Sequence, residues 1–219
     1  MLVLAIDTAG VDCSAAVYDS SSRETLGSVV DNIGKGHAER LMSAIDEALA
    51  QASRSLSDIQ RIAVVVGPGS FTGIRVGVAA ARGLALSLGI DVVGVTTLEA
   101  LAGAYFEREP SGNVVVAMDA KRGELYVQPF AADGSPLGEP QALVPQDTAA
   151  LASSLSADLT GSGRDPALGA VSSAGPDRLD ISVVARLGAA KTATDGRPKP
   201  LYLRGPDAKP QTGYALPRI

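Results

Sequence analysis

Apolar and polar residues along the first hundred positions follow two rhythms, one of extended segments and one of helical turns. "LVLAID" (2–7) is continuously apolar and ends in the turn-prone cluster Asp7-Thr8-Ala9-Gly10. "CSAAVYD" and "ETLGSVVD" follow with only "SSSR" between them, so the spacing predicts three strands in an antiparallel meander. The rhythm then changes: Leu41, Ile45 and Leu49 fall four apart, Ala38 and Ala48 stand beside them, and Glu39, Asp46 and Glu47 lie elsewhere. That period predicts an amphipathic helix over 37–52. "RIAVVVG" has the composition of a buried strand, 73–88 is helical, "DVVGV" is a short strand, and "TTLEALAGAYF" starts a further helix with Thr96 or Thr97 as its cap.

The next segment echoes the first. "VVVAMDAKRGELYVQPF" is again an apolar strand ending in aspartate, a short turn and a return strand, and Asp119 lies 112 positions after Asp7. Each return strand carries a tyrosine, Tyr18 and Tyr126. Such an echo predicts a duplicated half-domain, divided here into 1–105 and 106–219, the second a smaller subdomain with an extended proline-rich, basic tail. The second copy is poorer. After Pro145 come a modest helix ("DTAALASSL"), a short strand into "TGSGRD" and a weak helix near 180–190. Beyond Thr194, Pro198, Pro200, Pro206, Pro210 and Pro217 predict an extended tail laid on the body, with "PLYLR" as its apolar anchor.

Composition narrows the class. The 219 residues are 46% apolar and 20% charged, which suits an α/β globular chain and excludes a coiled coil or disordered tail. The opening apolar run meets Asp7 too early for a signal peptide, and Arg82 interrupts the next apolar stretch, so a cytoplasmic protein without a membrane span is expected. Cys13 has no partner for a disulfide or thiolate cage and reads as a small buried strand residue. A net charge of −5 argues against a stand-alone nucleic-acid binder. The C-terminal stretch is locally basic, with Arg186, Lys191, Arg197, Lys199, Arg204, Lys209 and Arg218 against Asp195 and Asp207. Phosphate contact and a solvated tail are both open readings.

The glycine-rich "VVVGPGSFTGIRVGVAAARGLALSLG" raises the question of phosphate binding. A Walker A loop needs Lys and Ser or Thr directly after its last glycine, but Gly73 is followed by Ile74 and Arg75. Gly67, Gly69 and Gly73 are spaced G-x-G-x-x-x-G, which misses the dinucleotide fingerprint, and Ser70 lacks the flanking glycines of a nucleophile elbow. A structural role explains more. Gly67-Pro68-Gly69 makes a sharp strand-to-helix turn, and Gly73, Gly77, Ala81 and Ala85 then form a smooth helix face that another backbone can approach closely. Helical glycines cost about 1 kcal/mol each relative to alanine, so Gly73, Gly77 and Gly83 need a packing return, from an internal strand or from a partner helix.

"LAIDTAG", a histidine followed by "AERL", "VGPGSFTGIRVGVAAARGLA", "GVTTLEALA", "DAKRGELYV" and "PLYLRGPDAKP" together resemble the TsaB family, also called YeaZ, of tRNA threonylcarbamoyladenosine biosynthesis proteins. The resemblance spans nearly the whole chain and is loose only over 130–190. It implies an actin-like ATPase-domain (ASKHA) fold, in which two strand-Asp-turn motifs face each other across a cleft. Asp7 and Asp119 occupy those places here. It also implies a non-catalytic subunit acting with TsaD and the small ATPase TsaE in threonylcarbamoyl transfer to the adenosine beside the tRNA anticodon. No turnover is then expected of the chain alone, and no cofactor; ATP or ADP and metal belong to the partner subunits. Catalytic TsaD-like proteins carry paired histidines for metal, whereas His37 is alone and reads as a capping or interface residue. Helices 37–52 and 73–88, through His37, Leu41, Ile45, Gly73, Arg75, Gly77 and Ala81, are the expected contact with TsaD, and with a second copy when TsaD is absent. tRNA would be met only through the complex. The competing reading is a self-sufficient ATP-dependent phosphoryl or acyl transferase using Asp7 and Asp119.

Overall fold

The computed structural model describes residues 1–108, 112–172, 174–192 and 197–204. Strands β1 (Leu2–Asp7), β2 (Asp12–Asp19) and β3 (Glu24–Asn32) form the expected meander, with Asp7 opposite Ser14 and Leu4 opposite Val17. Helix α1 (His37–Gln51), strand β4 (Arg61–Val65), helix α2 (Phe71–Leu88), strand β5 (Asp91–Val95) and helix α3 (Thr97–Phe106) follow. The first sheet has the order β3-β2-β1-β4-β5, and β4 lies parallel to both β1 and β5. α3 starts on a capping box in which Thr96 and Glu99 satisfy each other's backbone N–H.

The second half repeats the plan with less material. Strands β6 (Asn113–Asp119) and β7 (Leu125–Phe130) form the echoed hairpin, β8 (Gln141–Leu143) extends it, and β9 (Ala157–Thr160) lies parallel to β6, giving the order β8-β7-β6-β9. Among the described residues this sheet has no fifth strand, the counterpart of β5. Helices α4 (Pro145–Ser154), α5 (Arg164–Ala167) and α6 (Ile181–Ala190) complete the described elements. The three-residue β8 and four-residue α5 are too short to leave a period in the sequence. Two duplicated halves of alternating strand and helix are the actin-like ATPase-domain fold that the resemblance implies.

β1 and β4 are continuously apolar because both faces of the first sheet are covered. Adjacent strand residues point to opposite faces: a Cβ on Gly77 of α2 would sit 3.5 Å from Val64, while one on Gly188 of α6 would overlap Ala63. α2 therefore lies on one face, beside α1, and α6 lies on the other. Ile181, Val184 and Ala185 of α6 share a core with β1 and β4, whereas Leu98, Ala102 and Tyr105 of α3 pack with Val114, Val116 and Phe130 of the second sheet. Helix α3, from the first half of the chain, thus packs on the second sheet, and α6, from the second half, packs on the first.

The tail segment 197–204 straps the halves together. Leu201 donates its N–H to the Val66 carbonyl (2.8 Å) and joins the first core, Leu203 joins the second, and Arg204 bonds Glu124 and the Ala120 carbonyl of the β6–β7 turn. "PLYLR" is the anchor the sequence suggests, but Arg204 is held by the protein itself. Arg197 and Lys199 are exposed; Lys209 and Arg218 lie outside the described residues.

Candidate functional site: the cleft and the outer helix face

The Asp7 turn ends β1 at the cleft. Ala9 N–H donates to Asp7 Oδ1 (2.8 Å), fixing the carboxyl over its own turn, and Asp7 is only 2% exposed. Burial pushes its pKa up to about 6, nearby Asp12 adds to this, and the Ala9 hydrogen bond opposes it. Asp119 repeats the turn, with Lys121 N–H donating to its Oδ1 (2.8 Å), but here the Lys121 ammonium also bonds Oδ2 (2.7 Å) and holds the carboxyl below its usual range.

Sequence reasoning misses the groups between these two turns. Arg178 Nε–H donates to Asp12 Oδ2 (2.6 Å), and Asp177 accepts from the Ser162 N–H (2.8 Å) and hydroxyl (2.5 Å). Asp7, Asp12, Met118, Asp177 and Arg178 enclose only about 20 Å³, room for a single water. One signal was visible in advance, an acidic residue at Asp12 opening an otherwise apolar strand; nothing in the chain announces its partner 166 positions later. Among the described residues no group of three His, Cys, Asp or Glu is placed to hold a metal ion.

The glycine loop serves the Asp7 turn. A Cβ on Gly69 would overlap the Ala9 carbonyl oxygen, and one on Gly73 the Thr8 carbonyl oxygen. Ser70 N–H donates to the Ala9 carbonyl (2.7 Å), and the Thr8 hydroxyl donates to the Gly73 carbonyl (2.7 Å). Thr97 secures the other side, its N–H on the Gly67 carbonyl (2.9 Å) and its hydroxyl on the Pro68 carbonyl (2.7 Å). Gly67 has φ +100°, which explains glycine there. The loop's polar groups face its own chain.

The expected partner face needs correction. Leu41, Ile45, Gly73, Gly77 and Ala81 are all buried against this chain's own sheet and turn, because a smooth row suits a strand as well as it suits a foreign helix. His37 is also buried; its Nε2 lies 3.2 Å from the Asp12 carbonyl, and since a carbonyl only accepts, that nitrogen carries the proton. Gly36, at φ +90°, occupies the cap position of α1 instead. Of the expected set only Arg75 is exposed; it stacks over Phe71 (3.7 Å to the ring centre) and donates Nε–H to the Tyr202 hydroxyl (2.9 Å). The exposed surface of these helices includes Met42, Phe71, Ala79, Gly83 and Leu86, set among polar residues such as Glu39, Asp46, Glu47, Arg75 and Arg82. Phe71 is 50% and Leu86 69% exposed, and no described residue comes within 4 Å of where a Gly83 side chain would begin. By length and composition α2, with a mean hydropathy of 1.3 over 18 residues, is apolar enough to cross a membrane despite Arg82; in the fold its inner face is docked on the sheet.

Comparison with known proteins places this architecture. A family model described as "TsaD: tRNA N6-adenosine threonylcarbamoyltransferase" matches residues 16–175. The tRNA threonylcarbamoyladenosine biosynthesis protein TsaB of Escherichia coli is 35% identical over 133 residues, 61% of this chain and 56% of that protein. The chain thus spans little more than half the length of the TsaB proteins it matches, 52% for that of Haemophilus influenzae. An uncharacterised Mycobacterium tuberculosis protein, Rv3421c, is 35% identical over 212 residues, 95% of this chain and 94% of that one. A crystal structure of an uncharacterised protein with similarity to peptidase YeaZ from Pseudomonas aeruginosa superposes with a TM-score of 0.75 at 26% identity, covering 93% of this chain and 99% of that one. YeaZ from Pseudomonas aeruginosa superposes with a TM-score of 0.59 at 31% identity, covering 66% of this chain and 68% of that one. With these relatives in agreement, the chain belongs to the TsaB (YeaZ) family.

Proposed function

We propose that this protein is a non-catalytic subunit in the formation of threonylcarbamoyladenosine on tRNA, docking on TsaD through the outer faces of α1 and α2. The outer face of α2 carries the reading. Phe71, Ala79, Gly83 and Leu86 face outward between the exposed Arg75 and Arg82, and among the described residues nothing packs on Gly83. Contact with a partner helix supplies the packing return that Gly83 needs. In this reading TsaE joins the complex, a second copy takes the place of TsaD when the chain is alone, tRNA is met through the assembly in the cytoplasm, and nucleotide and metal reside in the partner subunits. The transferase alternative would require the space beside Asp7, now about 20 Å³, to open enough to accept a triphosphate.

Co-purification with TsaD, followed by assay of modified tRNA with each protein alone and together, tests the reading. Modification is expected only from the pair. Ala79→Arg and Leu86→Asp, both on exposed positions, are expected to fold normally and lose TsaD binding at least tenfold, because each places a charge in a dry contact. Normal assembly by both variants would move the interface elsewhere. Magnesium-dependent sub-micromolar ATP binding by the isolated chain would favour the transferase.

A further inference from the structure

We infer that the cleft between the two halves is held shut by a two-armed clasp, Asp177 and Arg178, each arm bonded to a different half. The two residues are neighbours in the chain but reach in opposite directions. Arg178 reaches the first half and meets Asp12, whose side chain is 4% exposed and whose Oδ1 also accepts from Asn32 Nδ2 (2.9 Å). Asp177 reaches the second half and accepts two hydrogen bonds from Ser162, and the Ser162 hydroxyl accepts the Asp119 N–H (2.9 Å). A continuous path of polar contacts thus runs from His37 at the start of α1, through the Asp12 carbonyl and carboxylate, across the cleft to Asp119.

Charge supports the same conclusion. Asp7, Asp12, Asp119 and Asp177 crowd one region, and carboxylates so placed need cations. This chain supplies two of its own, Arg178 on Asp12 and Lys121 on Asp119. Space agrees. On the Asp7 side of the clasp about 20 Å³ remains, while a groove of about 540 Å³ lined by Leu101, Arg108, Ser162 and Asp180 opens on the other side. The clasp is a partition between them, and the cleft stays sealed until it lets go. This inference does not depend on the proposed role in tRNA modification.

Hydrogen exchange on the isolated full chain tests it with one variant in each arm. Arg178→Gln cuts the contact with the first half and Asp177→Ala the contact with the second. A clasp predicts that each variant speeds exchange about tenfold or more on both sides, in the turn at 8–13 and in the loop at 161–163. Acceleration confined to the half that has lost its contact would overturn the inference. Because Arg178→Gln also leaves Asp12 buried without its partner, the double variant Asp12→Asn, Arg178→Gln is the control that removes both charges. It is expected to open both sides as Arg178→Gln does. Wild-type exchange in the double variant would trace the single variant's effect to the bare Asp12 charge and overturn the clasp.

Discussion

The Asp7 and Asp119 turns are built alike and behave in opposite ways. In both, the N–H two residues on donates to the aspartate Oδ1 at 2.8 Å. The difference lies in what covers them. Asp7 is roofed by the glycine loop, the N-terminus of α2 and the 176–179 segment, and burial raises its pKa. The Asp119 side chain is 31% exposed, its N–H donates to the Ser162 hydroxyl, and its turn runs through Lys121, Arg122 and Gly123, all at positive φ, with the Lys121 side chain 80% exposed. The same local sequence pattern therefore sets the backbone, and the helix after the parallel neighbour strand, α2 after β4 or α5 after β9, sets the chemistry. An 18-residue helix buries one aspartate where a four-residue helix leaves the other beside solvent.

The largest test of that contrast is steric. Gly73→Ala sets a methyl group against the Thr8 carbonyl oxygen, where backbone must move. A loss of about 3 kcal/mol is expected, the upper range for overpacking, or a melting temperature about 10 °C lower in a chain of this size. Gly163→Ala in the second half meets the Leu125 side chain at 2.9 Å and the Ala117 backbone at 3.0 Å. About 1 kcal/mol is expected there. Equal losses would mean that the two roofs are equally tight.

Next in size is a titration. Asp7 ionises near pH 6 when folded and near 3.8 when unfolded. Between those values the folded state holds the extra proton, so stability falls as pH rises from about 4 to 6, by about 3 kcal/mol in all. Asp7→Asn keeps an oxygen for the Ala9 N–H and carries no charge. It is expected to match the wild type near pH 4 and to be about 2 kcal/mol more stable at pH 7. Paired urea melts across that range measure the difference, and a gap that does not change with pH would show that Asp7 is not held in a costly charged state.

A smaller effect comes from the helix that the second half lacks. Gly83 has open space where a side chain would go, so Gly83→Ala should stabilise the isolated chain by about 1 kcal/mol, the helix-propensity difference. If α2 receives a partner helix there, the same methyl group weakens assembly. Gain of stability without loss of assembly would place the contact away from Gly83.

The strands and long helices were legible because their periods are strong: Leu41, Ile45 and Leu49 mark α1, and the Asp7 and Asp119 hairpins announce the duplication. The direction of a helix face was not. Gly73, Gly77 and Ala81 promised close packing, but small residues say only that a neighbour comes near, and Thr8 and Val64 turn out to be that neighbour. The proposed partner stripe lies two residues out of phase, on the opposite face of the helix, at Ala79, Gly83 and Leu86, where apolar residues on the outside are the signal. The cleft was half legible. Both aspartates stood out as repeated strand ends, whereas Arg178 meets Asp12 only because α6 crosses back to the first sheet, a tertiary event with no local signature.

The smallest expected effect belongs to the open turn. Asp119 is paired with Lys121 and has a lowered pKa, so its contribution is present above the ordinary carboxylate range and is lost as pH falls through the folded value. The pair is at the surface, where solvent and side-chain entropy leave such contacts worth about 0.5 kcal/mol or less. Asp119→Asn keeps the oxygen that accepts the Lys121 N–H and loses only the attraction to the ammonium. The variant should therefore melt within about 2 °C of the wild type at pH 7, and the gap should shrink further at high salt as screening removes the attraction. A loss approaching that of Gly73→Ala would mean that Asp119 carries the junction between the halves directly, and that the Ser162 and Asp177 contacts are secondary to its carboxylate.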